Sequence, residues 1–158
     1  MGRFLGSISP FGRDLHSRVT MLPAQEGILF VCVENAGRSQ MAQAFAEKLG
    51  LKAMSAGTVP STRVNPVVVE AMRERGIDLI KRSPKMLTAN MISGARLVVT
   101  MGCSVEEACP KPMLAAMQKK PVDWHLDDPK GRSIEEVRRI RDDIEKKVRK
   151  IAQEKMTG

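Results

Sequence analysis

Residues 28–41 read Ile-Leu-Phe-Val-Cys-Val-Glu-Asn-Ala-Gly-Arg-Ser-Gln-Met. The apolar run that ends at Cys32 is typical of a buried strand, and the amphipathic run from Gln40 to Leu49 predicts a helix. The polar residues between them predict a short strand-to-helix loop. Because the first N–H groups of a helix lack partners and the helix dipole is positive there, such a loop is an anion-binding site.

Two side chains in this loop can carry chemistry. The positive field favours the thiolate form of Cys32, which is a nucleophile, and the planar guanidinium of Arg38 can bind two oxygens of a tetrahedral oxyanion. We therefore expect chemistry at phosphorus or at a group of the same shape. The Cys-x5-Arg spacing alone is moderately specific, and the alternative for Cys32 is a small apolar residue at a strand end. The predicted oxyanion-binding loop comprises Val33, Glu34, Asn35, Ala36, Gly37, Arg38 and Ser39.

Strand and helix signals alternate after residue 27. They predict an α/β fold, a three-layer doubly wound sandwich with a central four-stranded parallel sheet. Ligands of such sheets bind beyond the carboxyl ends of the strands, so Cys32 and Met101-Gly102-Cys103 should open onto one crevice. The predicted strands are 27–33, 51–56, 95–101 and 121–124, and the predicted helices are 39–49, 64–75 and 133–154.

Length and composition restrict the class of protein. The 158 residues predict a single domain over 27–155, preceded by a flexible extension over 1–26 that has no secretory signal. Apolar runs of about six residues are too short to span a membrane, so we expect a cytoplasmic protein. The net charge is +8, but no aromatic residues interleave with the basic ones, which argues against nucleic-acid binding. The charge would instead attract anions to the loop.

Two further cysteines, Cys103 and Cys109, lie six residues apart. Their spacing does not suit zinc, and only His16 and His125 could complete a metal site, so we expect no metal there. Six residues of helix advance about 9 Å, whereas a disulfide needs Cα atoms within about 7 Å. A bridge between them therefore requires a loop or a segment that unwinds. The alternative is a pair of buried, inert thiols.

An acidic turn, Asp127-Asp128-Pro129, follows the last predicted strand. The proline holds Asp128 out of helical conformation, and a carboxylic acid at the crevice could protonate a leaving oxygen. The alternative is an ordinary turn, because Asp and Pro are both common turn residues.

Further motifs extend from the loop over nearly all of residues 27–152. They comprise Phe-Val-Cys-Val-Glu-Asn-Ala-Gly-Arg-Ser-Gln-Met-Ala at 30–42, Ser-Ala-Gly-Thr at 55–58, Val-Asn-Pro at 64–66, Gly-Ile-Asp at 76–78, Val-Val-Thr-Met-Gly-Cys at 98–103, Cys-Pro at 109–110, Asp-Trp at 123–124 and Asp-Asp-Pro-Lys-Gly at 127–131. With these motifs the chain resembles the low-molecular-weight tyrosine phosphatase fold, and specifically its thioredoxin-coupled arsenate reductase branch.

The resemblance implies a mechanism. Cys32 would attack arsenate held by the loop and by Arg38, while Asp128 protonates the departing oxygen. Cys103 would then attack Cys32 and release arsenite, and Cys109 would carry the disulfide to a Cys103–Cys109 pair that thioredoxin or a similar dithiol protein reduces. Phosphate and sulfate would compete with arsenate, no cofactor would be needed, and the role would be arsenical resistance.

The chain also departs from the pattern of the family. Gly37 stands where many relatives have a second cysteine in the loop. Asn35, Ser55 and Asp78 match positions at which some relatives bind potassium, but Gln43 replaces their glutamate, which argues against that ion.

Two rival functions remain open. One is a tyrosine or small-phosphoester phosphatase that uses Cys32 as nucleophile and Asp128 as general acid. It would not need Cys103 and Cys109, and the aromatic wall expected after Pro129 is missing. The other is a binding module that holds an oxyanion without catalysis and therefore tolerates loss of Cys32.

Overall fold

The computed structural model describes residues 27–102 and 110–157, with the side chains of the last three of these undescribed. The predicted extension at 1–26 and the two cysteines Cys103 and Cys109 lie outside the described residues. No helix in the described ranges is both long and apolar enough to cross a membrane.

Four parallel strands form one sheet, as the sequence predicts. They lie in the order β2-β1-β3-β4, so β1 is central and its carboxyl end is adjacent to those of β2 and β3. The register pairs Cys32 with Gly57 and Val31 with Thr100. The strands are β1 (Ile28–Cys32), β2 (Ala53–Gly57), β3 (Leu97–Thr100) and β4 (Val122–Asp123).

Within the described residues, five helices pack around this sheet. They are α1 (Arg38–Lys48), α2 (Pro66–Arg73), α3 (Ala89–Gly94), α4 (Lys111–Ala116) and α5 (Ile134–Thr157). The prediction of a helix over 64–75 placed its start too early, because Asn65 caps α2: its side-chain oxygen accepts from the N–H of Val67 at 2.9 Å.

The alternation of side chains along β1 divides the core into two layers. Ile28, Phe30 and Cys32 point to one face, where they pack with apolar residues of α1, α2 and α5. Leu29 and Val31 point to the other face, where they pack with residues of α3 and α4. Helices therefore cover both faces, which confirms the predicted three-layer sandwich. The sequence analysis had not predicted α3 and α4, which supply the second face.

The long helix α5 is fixed to α2 by charges as well as by apolar contacts. The guanidinium of Arg141 is buried and donates to the carbonyl of Ala71 at 2.8 Å and to Glu74 Oε1 at 2.7 Å. Arg138 binds the same carboxylate from the solvent side, with Nη2 to Oε2 at 2.7 Å. These two arginines lower the pKa of Glu74 to about 2.

Candidate active site

The sulfur of Cys32 lies at the floor of the predicted loop. β1 ends at Cys32 and α1 begins at Arg38, so five loop residues connect them. The Cys32 residue is only 4% exposed. The backbone N–H of Asn35 donates to its Sγ at 3.1 Å, and the hydroxyl of Ser39 lies 2.9 Å from the same atom. The sulfur therefore has two close polar partners, one from the loop backbone and one from the first turn of α1.

Asn35 holds the loop in shape. Its backbone has a positive φ of 51°, a left-handed conformation that asparagine tolerates better than most residues. Its side-chain oxygen accepts from the N–H of Lys85 at 2.8 Å and from Gln40 Nε2 at 3.1 Å, and its Nδ2 donates to Ser39 Oγ at 2.7 Å. All of these bonds are made by a side chain that is fully buried. The loop is consequently shaped before any anion binds.

The same bonds orient the hydroxyl of Ser39. Because Asn35 donates to the oxygen of Ser39, the hydroxyl hydrogen is left to point at Cys32. The amide orientation of Asn35 follows from its two donors, Lys85 and Gln40, which require the oxygen on their side. The hydroxyl of Ser39 therefore keeps a hydrogen that it can donate to the sulfur, 2.9 Å away.

Gly57 allows the end of β2 to lie against the loop. A Cβ at this position would overlap the carbonyl oxygen of Val33 and lie 2.9 Å from the backbone nitrogen of Asn35. Only glycine permits this approach, so the Ser-Ala-Gly motif at 55–57 has a structural reason.

Arg38 is held by carbonyl groups from two other segments. Its Nη1 donates to the oxygens of Met101 at 3.2 Å, Gly102 at 3.1 Å and Leu126 at 3.0 Å. These acceptors fix the guanidinium at the point where β3 ends. The segment after β3 therefore lies against Arg38. Cys103 is outside the described residues, so its opening onto the same crevice as Cys32 stays a prediction.

Asp128 lies beside Arg38 at the edge of this crevice. Its Oδ2 is 3.7 Å from Arg38 Nη2, and its Oδ1 accepts from the N–H of Lys130 at 3.0 Å. The Asp128 side chain is 45% exposed, whereas that of Arg38 is 6% exposed. The following Pro129 packs against Gly37, where a Cβ would lie 2.8 Å from its Cγ. The carboxyl group is therefore held against the loop and still reaches solvent.

A cavity of about 370 Å³ opens above the sulfur. Its floor is Cys32 and the loop, and its walls come from 61–63 and 128–131. None of the described residues that line it is aromatic, and its charged groups are three cations, Arg38, Arg63 and Lys130, and two carboxylates, Glu34 and Asp128. The cavity therefore suits a small anion better than an aromatic ester.

The three residues suggested for potassium, Asn35, Ser55 and Asp78, each bond to other side chains or backbone groups. The hydroxyl of Ser55 donates to Gln43 Oε1 at 2.6 Å, and Asn35 bonds to Ser39, Gln40 and Lys85 as described above. Asp78 is exposed, with its Oδ1 3.5 Å from Arg73 Nε. Among the described residues, no group of three Cys, His, Asp or Glu side chains could hold a metal ion.

The structure brings Cys32, Arg38 and Asp128 to one cavity, together with the loop residues Val33, Glu34, Ala36 and Gly37. Asn35 and Ser39 are fully buried and do not line it. The sequence analysis missed Gln40 and Lys85, which brace Asn35, and the contact of Gly37 with Pro129. Gln40 could have been found, because it is a polar residue in the first, buried turn of α1. Nothing in the sequence pattern pointed to Lys85, which contributes only its backbone N–H.

Comparison with known proteins places this geometry in a family. The model of the low molecular weight phosphotyrosine protein phosphatase family matches residues 27–157. The chain belongs to that family.

Relatives within this family carry two different names. A protein of Halobacterium salinarum named "Putative arsenate reductase" is 43% identical over 127 residues, which cover 75% of this chain and 85% of that protein. A solved structure titled an arsenate reductase in the phosphate binding state is 30% identical, with a TM-score of 0.70. The match covers 82% of this chain and 98% of the chain in that structure. The structure of an arginine phosphatase from Geobacillus stearothermophilus is 26% identical, with a TM-score of 0.72. The match covers 82% of this chain and 92% of the chain in that structure.

Proposed function

We propose that this protein reduces arsenate to arsenite through a thiol–disulfide relay of Cys32, Cys103 and Cys109, and that thioredoxin or a similar dithiol protein regenerates it. The observation that carries the proposal is the buried sulfur of Cys32, which accepts from the N–H of Asn35, lies 2.9 Å from the hydroxyl of Ser39 and lines one cavity with Arg38. The relatives named arsenate reductase support this choice of oxyanion.

The first step is a substitution at arsenic. The thiolate of Cys32 forms a sulfur–arsenic bond and one arsenic–oxygen bond breaks, with Asp128 supplying the proton that lets the oxygen leave as water. Arg38 and the loop N–H groups neutralise the charge on the remaining oxygens. Arsenic is still As(V) at this point, so no electrons have yet been transferred.

The second step is the reduction. The thiolate of Cys103 attacks the sulfur of Cys32, and the electron pair of the sulfur–arsenic bond passes to arsenic, which leaves as arsenite. Cys32 and Cys103 are oxidised to a disulfide. Cys109 then attacks Cys103, Cys32 leaves as a thiolate, and the dithiol partner reduces the Cys103–Cys109 bridge. This cycle requires a compartment that keeps the partner reduced, so we expect the protein in the cytoplasm, where it would serve arsenic detoxification.

A phosphatase is the second candidate. The observation in its favour is the carboxyl group of Asp128, which lies 3.7 Å from Arg38 and could protonate an ester oxygen. The similarity to an arginine phosphatase structure points the same way. Against it stand the absence of aromatic residues among the described residues of the cavity wall and the two extra cysteines, which ester hydrolysis does not use.

The test is arsenite release by the full-length protein with arsenate, thioredoxin, thioredoxin reductase and NADPH. We expect NADPH oxidation that depends on arsenate and disappears in Cys103→Ser. p-Nitrophenyl phosphate hydrolysis is measured beside it, because the phosphatase chemistry needs Cys32 but not Cys103. No arsenate-dependent oxidation, with equal ester hydrolysis by both proteins, would replace the reductase proposal with the phosphatase one.

A further inference from the structure

One ion pair crosses the mouth of the cavity. Lys130 Nζ lies 2.9 Å from Glu34 Oε2, although the two residues are 96 positions apart in the chain. Glu34 belongs to the oxyanion-binding loop, and Lys130 follows Asp128 and Pro129 on the opposite wall. The pair therefore joins the two segments between which a ligand must enter.

The pair is more exposed to solvent than the sulfur of Cys32. The side chains of Lys130 and Glu34 are 70% and 36% exposed, whereas Cys32 is almost completely buried. All three residues line the same cavity. The pair therefore lies on the solvent side of the cavity that contains the sulfur.

Stability is a poor explanation for this contact. Exposed ion pairs contribute little to stability, because water screens the charges and two long side chains lose freedom. The position is more informative, since Glu34 puts a carboxylate on the wall of a cavity that binds anions. Lys130 compensates that charge, and the hydrogen bond from its ammonium to Glu34 raises the pKa of Lys130.

Lys130 also occupies the place where an aromatic wall would be expected in a tyrosine phosphatase. An ammonium group bonded to a carboxylate places charge on this part of the cavity wall. It does not leave an open apolar surface for a ring.

We propose that the Glu34–Lys130 pair is a specificity determinant that restricts the site to inorganic oxyanions and disfavours phosphorus ligands carrying an aromatic group. The inference rests on the proposed function for the identity of the oxyanion. Its test uses binding alone, so that failure of the relay and failure of the selectivity can be told apart.

The test compares the affinities of reduced, full-length protein for inorganic phosphate and for phenylphosphonate by calorimetry. Glu34→Gln and Lys130→Met each break the pair and should shift the affinity ratio towards phenylphosphonate, by about two- to fivefold. The double charge reversal, Glu34→Lys with Lys130→Glu, re-forms the pair and should restore the original ratio.

The two single variants also serve as controls for each other. Glu34→Gln removes a negative charge and frees the ammonium, so phosphate should bind more tightly. Lys130→Met leaves the carboxylate uncompensated, so phosphate should bind more weakly. An unchanged ratio in both variants, or the same loss of phosphate affinity in both, would overturn the inference. If arsenate is reduced normally but the affinity ratio does not change in the variants, only the selectivity is refuted. If the ratio shifts as expected but the unaltered protein does not reduce arsenate, only the relay is refuted.

Discussion

The hydroxyl of Ser39 lies 2.9 Å from the sulfur of Cys32 and closes a chain of hydrogen bonds that begins at the side-chain amide of Asn35. The chain runs through fully buried groups, so water does not compete with it. Its consequence is that one donor to the sulfur comes from the first turn of α1 and another from the loop backbone.

Replacing Ser39 by alanine should make Cys32 less reactive. A hydrogen bond to a charged group contributes about 1.5–3 kcal/mol, so losing this partner of the sulfur should slow its alkylation by iodoacetamide about tenfold or more. The measurement is the alkylation rate of Cys32, followed by peptide mass spectrometry. Ser133→Ala makes the same chemical change at the start of α5, away from the cavity, and should leave the rate unchanged. Equal rates for Ser39→Ala and the unaltered protein would contradict the assigned donor.

Replacing Gly37 by alanine should separate Asp128 from the loop. The new Cβ would lie 2.8 Å from Pro129 Cγ, a distance at which the proline must move, and Asp128 precedes that proline. We expect a loss of about tenfold or more in kcat for arsenate reduction, because small displacements of a general acid are costly. Gly94→Ala is the matched control, since a Cβ there meets nothing within 4 Å. Full activity of Gly37→Ala would show that the contact of Pro129 does not position the acid.

Much of the fold could be predicted from local signals. β1, α1 and α5 are long or strongly patterned, and their observed bounds differ from the predicted ones by a few residues at most. The helices α3 and α4 have six residues each, which is less than two turns and too short to show a helical period. Their existence depends on the second apolar face of the sheet, which Ile92 and Leu114 cover.

The site also has a part that local sequence predicts and a part that it does not. Cys32, Asn35, Arg38 and Ser39 could be predicted because they lie within eight consecutive residues. The partners that fix them are far away in sequence, as with the carbonyl of Leu126, which is 88 positions from Arg38. Contacts of this kind depend on how β1 and β3 pair, which no local pattern contains.

The carboxylate of Glu74 should make the free energy of unfolding depend on pH in the acidic range. Hydrogen bonds from Arg138 and Arg141 lower its pKa from 4.5 to about 2 in the folded state. Its contribution to stability is therefore present above about pH 4.5 and is lost as the pH falls through about 2. We expect the urea midpoint of Glu74→Gln to lie below that of the unaltered protein at pH 7, and the gap to close as the pH approaches 2. A gap that stays constant over this range would show that the two arginines do not act through the charge of Glu74.

The order of the relay can be tested by stopping it at its last exchange. In Cys109→Ser, Cys32 can still bond to arsenic and Cys103 can still attack Cys32, but the resulting disulfide has no internal thiol to accept it. We expect about one arsenite per enzyme and then no further turnover with thioredoxin present, measured by quenched-flow arsenite detection. Cys103→Ser should release none, because no sulfur is left to displace arsenic in the second step. Continued turnover by Cys109→Ser would contradict the relay, since thioredoxin would then be reducing the Cys32–Cys103 disulfide directly and Cys109 would have no role in catalysis.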